Sequence, residues 1–288
     1  MTLLVNVLVG TIVLGSIYGL VALGFIFVFR STGVINFAHG QFLTRAAWIA
    51  VSLVALKSPL IGVLAGVIVT GIVAVLAYRI VVKPAETNGL FVAVIATMGL
   101  AFILDGVMQI VWGPSSQSLP LFPAGSFTFR EGSGISYANA IVVAIALCTY
   151  AAVVIADRFL VVGIQMRASA ANRVLASQLG IRVGRLFSGA WFVAGALAAI
   201  AGICYGATTL VNPQLTLIGL AGLPAALVGG FDSVEGALPG GLIVALVVVL
   251  TSTFVSSAGS FAATYLLLLV FVMVRPQGLR GSRGVERG

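Results

Sequence analysis

The sequence predicts an all-α membrane protein, a polytopic transmembrane helical bundle of about eight to ten spans with re-entrant or broken helices among them. Three observations predict it. The 288 residues are 60% hydrophobic and only 8% charged, with a mean hydropathy of +1.20; a soluble domain of that size needs far more charge to solvate its outer face. Runs of about 20 apolar residues, enough to cross about 30 Å of hydrocarbon, recur along the chain. Between those runs the basic residues fall almost entirely on one side, as the positive-inside rule requires.

The runs follow in order. Leu3–Phe29 ends at Arg30; it lacks the basic leading region of a cleaved signal and is too long for one, so it is expected to be a retained span. Val34–Leu56 has Arg45 inside it, and Leu60–Val82 closes in the basic stretch Arg79 to Lys83. Leu90–Trp112 is interrupted only by Asp105. Ala138–Ala156 and Leu186–Val211 carry no charge, and Leu217–Phe231 is short and holds Pro224. Ala237–Val274 is long enough for two spans folded at residues 256–260, where Ser and Gly favour a turn. The sum is about nine crossings in one transmembrane domain over residues 1–288.

Placing the N-terminus outside puts the C-terminus in the cytoplasm. Of the 15 basic residues, the inner side then receives Arg30, Arg79, Lys83, Arg158, Arg167, Arg173, Arg182, Arg185, Arg275, Arg280, Arg283 and Arg287. The outer side receives Lys57 and Arg130, and Arg45 stays within the membrane. The net charge of +8 is thus accounted for by orientation, and no nucleic-acid partner is expected. Cys148 and Cys204 stand alone in apolar runs, and a single histidine cannot build a two-histidine metal motif, so no metal site is expected.

Two loops are long. Residues 113–137, rich in Pro, Ser, Gly and Phe, fall outside and serve as a plain connector or as a cover that meets a soluble partner. Residues 158–185 fall inside. Within them Arg167–Gly180 is helix-friendly and ends at a glycine, a usual C-terminal stop. Ala168, Ala171, Val174 or Leu175, and Leu179 make one apolar stripe. Such a helix lies on lipid headgroups, packs on its own bundle, or docks into a groove of another protein; the residues alone leave all three open.

Asn36, His39, Arg45 and Asp105 stand at membrane depth, where polar groups are costly and are functional candidates. Asn36-Phe-Ala-His-Gly40 interrupts an apolar run, and a helix restarting after Gly40 would aim its first N–H groups into a cavity. His39 reads equally as a lock between two helices. Arg45 reads first as a partner of Asp105, which lies within about 6 Å of its depth by helical rise. Snorkelling is its second reading and contact with an anionic solute its third. Gly219 to Gly241, with seven glycines, Pro224 and Pro239, reads as close helix contact or as a second broken helix beside a translocation path.

Several stretches carry a family resemblance. They are Gly15-Ser-Ile-Tyr-Gly-Leu-Val-Ala-Leu-Gly24, Gly33-Val-Ile-Asn-Phe-Ala-His-Gly40, Ala96-Thr-Met-Gly99, Met166-Arg-Ala through Leu179-Gly-Ile181, Leu227-Val-Gly-Gly230 and Arg275-Pro-Gln-Gly-Leu279. Together they resemble the branched-chain amino acid permeases of the ABC importers, specifically the LivH-like subunit, and loop 158–185 looks like the coupling loop of such permeases. The resemblance implies a bacterial inner-membrane protein whose channel is completed by a second homologous permease subunit. It implies two cytoplasmic ATPase subunits that hold ATP and Mg, an external substrate-binding protein, and membrane lipid around the whole. It places the substrate pathway near Asn36, His39, Arg45 and Asp105. ATPase coupling falls to Arg167, Asn172, Arg173 and Gly180.

This chain has no Gly-x-x-x-x-Gly-Lys-Ser/Thr phosphate loop, so no cofactor is expected in it and ATP hydrolysis is expected on other polypeptides. Two departures stand out. Where many importers carry Glu-Ala-Ala in the coupling helix, this chain has Val174-Leu175-Ala176, and Arg45 stands where the family is usually apolar. Related permeases serve urea, short amides and aromatic acids, so the solute stays open. An ion-coupled carrier would want carboxylates in its spans, and Asp105 is the one available; an enzyme would want a paired acid and base or a nucleophile–base pair, and the sequence suggests neither.

Overall fold

The computed structural model describes residues 2–54, 58–130, 133–275 and 277–281. Leu56, Lys57, Pro276, Arg283 and Arg287, and the side chain of Arg130, lie outside the described residues.

All the apolar runs form helices. Helix α1 (Thr2–Thr32) is followed by an extended segment and α2 (His39–Val54). Helix α3 (Pro59–Leu76) continues through a π-helical stretch (Ala77–Val82) into the short α4 (Lys83–Glu86), and α5 (Leu90–Val111) follows. Strands β1 (Ser126–Arg130) and β2 (Ser133–Ser136) pair antiparallel ahead of α6 (Tyr137–Phe159). Then come α7 (Val161–Ala171), α8 (Arg173–Gln178) and α9 (Val183–Thr208). The last three are α10 (Leu215–Gly229), α11 (Ala237–Phe254) and α12 (Ser257–Val274). The turn between α11 and α12 falls at Val255–Ser256, and the Ser256 hydroxyl caps α12 by accepting from the Gly259 N–H at 3.0 Å.

Among the described residues, seven helices are long and apolar enough to cross a membrane, α3 counting together with its continuation to Glu86. Of the nine expected crossings, the other two are α2, with 16 residues, and α10, with 15. At 1.5 Å per residue these reach about 24 and 22 Å, short of the hydrocarbon thickness. They are the broken helices that the Gly-interrupted stretches pointed to. Loop 113–137, read from the sequence as a plain connector or a cover, holds the β-hairpin; the alternation in Ser126-Phe-Thr-Phe-Arg130 is the period-2 signal for it.

The basic residues gather at one end of the bundle. Arg30, at the close of α1, pairs with Asp157 of α6 at 3.1 Å. Arg173 bonds the Ser31 carbonyl at 2.9 Å and pairs with Glu86 at 3.4 Å, and Arg79 donates to Ser188 at 3.1 Å. At the opposite end, Gln117 and Val211 form a backbone bridge and the Trp112 indole donates to Ser52 at 2.8 Å.

Helices α1, α2 and α9 form the core. In α2, 12 of the 16 residues are buried, which places it through the middle of the bundle. Helices α5, α6 and α12 turn apolar side chains outward; Phe102 and Ile110 are 79% and 86% exposed, an arrangement stable against lipid or another apolar chain but not against water.

The two halves repeat one another upside down. Each half has a long helix, an extended re-entrant segment, a half-length helix, a return helix and an outer helix: α1, α2, α3 and α5, then α9, α10, α11 and α12. Their neighbours correspond. Helix α1 packs on α11 as α9 packs on α3, α2 on α9 as α10 on α1, and α2 on α5 as α10 on α12. Helix α1 runs toward the basic end and α9 away from it, so the relating axis lies in the membrane plane. Small residues permit the closest crossings: a Cβ at Gly15 would sit 2.9 Å from the Leu242 Cα, and one at Gly195 would sit 2.9 Å from the Thr70 carbonyl oxygen.

Candidate functional site

The half-helices begin at the same place. A Cβ built on Gly219 of α10 would collide with the Gly40 backbone of α2, and one on Gly40 would lie 2.6 Å from the Thr216 carbonyl oxygen. The hydroxyls of Thr44 and Thr216 meet at 2.9 Å. Their depth follows from α1, where Gly24 abuts the His39 ring and Val21 abuts Gly222. Gly24 lies eight residues from the end of α1, about 12 Å inside the basic end. Two helix N-termini therefore converge near mid-depth, each with the positive end of its dipole there; the N–H groups of His39 and Gln41 in α2, and of Leu215, Thr216 and Leu217 in α10, are held by the carbonyls of the turn before them. Thr216 is half-buried and Gln214 and Leu217 are exposed, so the junction opens on the flank of the chain.

The extended backbone at this depth must have its polar groups satisfied. Asn36, fully buried, accepts through Oδ1 from the Ala38 N–H at 3.0 Å, an Asx turn that starts α2. The Thr97 hydroxyl of α5 accepts from the Phe37 N–H at 3.2 Å and lies 3.3 Å from the Ile35 carbonyl. That is the physical reason for a threonine in the Ala96-Thr-Met-Gly99 stretch. The His39 ring packs against Phe25, with centroids 4.5 Å apart, and against Gly24. It occupies the α1–α2 contact and is fully buried.

The expected Arg45–Asp105 pair does not close to a hydrogen bond or a contact ion pair, although the carboxylate still acts on the guanidinium through space. Asp105 sits level with Gln41, one turn nearer the start of α2, and its Oδ1 accepts from Gln41 Nε2 at 3.1 Å. The depth arithmetic was sound, but the shorter amide reaches the carboxylate first. Arg45 is 7% exposed, and its three guanidinium nitrogens are buried without a hydrogen-bond partner; that burial also removes snorkelling. Gln41 and Thr97 were missed in the sequence because neutral polar residues in an apolar run draw less notice than charges.

At the basic end the expected helix over 167–180 is two helices. Asn172 breaks it, leaving α7 with an extended backbone (φ −157°) and capping α8 by accepting from the Leu175 N–H at 2.9 Å. A helix-compatible composition lost to a local Asn cap. Gly180 ends α8 as expected: its φ is +84°, its N–H bonds the Ser177 carbonyl and the Ile181 N–H bonds that of Ala176, the paired bonds of a Schellman motif. The expected stripe is not a packed face, since Ala168, Ala171, Val174, Leu175 and Leu179 are all exposed and Ala176 is the buried residue of α8.

Arg167 and Arg173 tie these helices to the bundle. Arg167 bonds the Asp157 carbonyl and pairs with its carboxylate at 3.3 Å, so Asp157 bridges Arg167 and Arg30. Arg173, besides holding Ser31 and Glu86, lies 5.0 Å over the Phe187 ring. Asp157 and Glu86, also missed, were legible as acids placed among many arginines.

The closing Arg-Pro-Gln-Gly-Leu stretch has a structural task. Leu279 and Arg280 donate their N–H groups to the Val228 and Gly229 carbonyls at 2.8 and 3.1 Å. They satisfy the open end of α10.

Comparison with known proteins places the chain among related sequences. The family model described as branched-chain amino acid transport system / permease component matches residues 7–275. The chain is 27% identical to the high-affinity branched-chain amino acid transport system permease protein LivH of Escherichia coli, over 96% of this chain and 95% of that one. It is 26% identical to BraD of Pseudomonas aeruginosa, described in the same words, over 97% and 96%. A probable branched-chain amino acid transport permease protein LivH of Methanocaldococcus jannaschii is 28% identical over 96% and 92%. No solved structure matches. With residues 7–275 matched by that model and nearly the whole chain covered by these relatives, the chain belongs to the family of branched-chain amino acid transport system permease components.

Proposed function

We propose that this chain is the permease subunit of an ATP-driven importer that carries branched-chain or related amino acids across the bacterial inner membrane. Its N-terminus faces outward and its basic end faces the cytoplasm. The observation that carries the reading is the meeting of two half-helix N-termini near mid-depth, in a chain matched by a permease family from residue 7 to 275. The positive ends of two helix dipoles meet at one point there, which favours the passage of a solute's anionic group. Because the junction opens on the flank of the chain, a second homologous permease subunit closes the channel over it.

Two ATPase subunits, with their ATP and Mg, dock on α7 and α8, where Val174, Leu175 and Leu179 are 69%, 51% and 74% exposed. Closure of the ATPases pulls on these helices. Arg173 and the Arg167–Asp157–Arg30 bridge carry the displacement to the end of α1, and so to the re-entrant segment before α2. An external binding protein delivers the solute at the opposite end. The resulting cycle is alternating access.

The test is uptake into proteoliposomes holding the chain with its partner permease, ATPases and binding protein. Amino-acid uptake that requires ATP and stops when the ATPases are omitted is expected. Uptake by the chain alone, driven by an ion gradient, would overturn the reading.

A further inference from the structure

Arg45 is 93% buried by its 7% exposure, and Nε, Nη1 and Nη2 all lack a partner. A lone guanidinium at membrane depth is costly to keep, and such groups mark solute pathways or meet an opposite charge. Asp105 attracts the guanidinium through space but makes no hydrogen bond to it, since its Oδ1 is held by Gln41. A neighbouring subunit's side chain does not reach it either, because the nitrogens are covered by this chain itself. A small solute admitted between helices remains.

The covering helix is one that can move. Gln41, Arg45, Trp48 and Ser52 line one face of α2 at helical spacing. Three of them hold α5: Gln41 through Asp105, Trp48 by stacking on Trp112 at 6.1 Å, and Ser52 through the Trp112 indole at 2.8 Å. Beyond these contacts and Thr97, α5 is mostly exposed. Next to the guanidinium, Gln41 Oε1 is a second buried atom without a partner. A fork of donors thus stands one turn from an orphaned acceptor, with a carboxylate opposite.

We propose that Arg45 and Gln41 form a binding site between α2 and α5 for the zwitterionic head of the transported α-amino acid. The solute carboxylate takes the guanidinium fork. Its ammonium donates to Gln41 Oε1 and Asp105. This rests on the amino-acid reading above and sharpens it, because urea and neutral amides would leave the arginine unpaired.

The test uses the full-length permease with its partner permease in detergent, without ATPases or binding protein, and reads thermal unfolding with L-leucine, L-leucinamide or isoamylamine. Leucine should raise the Tm of the wild type, and the two analogues should not. Arg45→Gln should raise the Tm without ligand, since it removes a buried charge whose donors have no hydrogen-bond partner, and should weaken leucine on the order of 10²-fold. Arg45→Lys, which keeps the charge and loses the fork, should fall between them. Equal shifts from leucine and leucinamide, an unchanged leucine response in Arg45→Gln, or no leucine shift in the wild type would each overturn the site. So would loss of the subunit pair in both Arg45→Gln and Arg45→Lys, because Arg45 would then be a structural contact. ATP-driven uptake reads the importer separately: uptake with an unaltered Arg45→Gln sinks the site alone, and a leucine shift without uptake sinks the importer alone.

Discussion

Gly40 and Gly219 allow two backbones to touch where the half-helices begin. Gly219→Val should destabilise the purified chain by about 3 kcal/mol, the upper range for overpacking a tight contact, read as a lowered midpoint of thermal unfolding. Thr97 acts through a single hydroxyl. Thr97→Val keeps the shape and leaves the Phe37 N–H unsatisfied, a cost of about 1–3 kcal/mol, whereas Thr97→Ser should stay near the wild type in the same melt. Residues such as Asn36, His39 and Gly40 were legible because each breaks an apolar pattern. The Arg45 environment was not, since depth along a helix is readable from spacing but the direction of a neighbour's side chain is not. Asp105 came within one turn of Arg45 and was taken by Gln41.

The short helices α7 and α8 expose apolar side chains at the basic end, Val162, Val174 and Leu175 among them. Leu175 is 51% exposed and makes no core contact, so Leu175→Asp should leave the unfolding midpoint within about 0.5 kcal/mol of the wild type. In the assembled transporter the same change should abolish solute-stimulated ATP hydrolysis. A variant that keeps full stimulation would remove α8 from the coupling path. Asn172→Ala deletes the α8 cap and should cost about 1 kcal/mol of local stability, visible as faster hydrogen exchange across 173–178. The spans were legible element by element, because a run of about 20 apolar residues has few other fates. The α7–α8 break and the β-hairpin were harder, because one Asn cap and one short alternation compete with helix-friendly or loop-like neighbours.

Across the whole molecule, the fold is two inverted halves whose short helices meet at the centre, and the proposed transport cycle depends on that meeting point being reached from each side in turn. From the sequence, charge asymmetry gave an orientation and the Gly-interrupted segments of both halves pointed to broken helices, while the inverted relation of the halves was not legible. The pairing of α1 with α11 and of α9 with α3 emerges only when the halves are folded together. Thr216 stands at the junction, half-buried and 2.9 Å from Thr44. The most direct measurement replaces Cys148 and Cys204 with Ser, introduces Thr216→Cys in the assembled transporter, and follows its reaction with membrane-impermeant thiol reagents applied to either side. Labelling from one side at rest and from the other with the ATPases trapped closed is the predicted result; a thiol that stays unreactive from both sides in both states would contradict it.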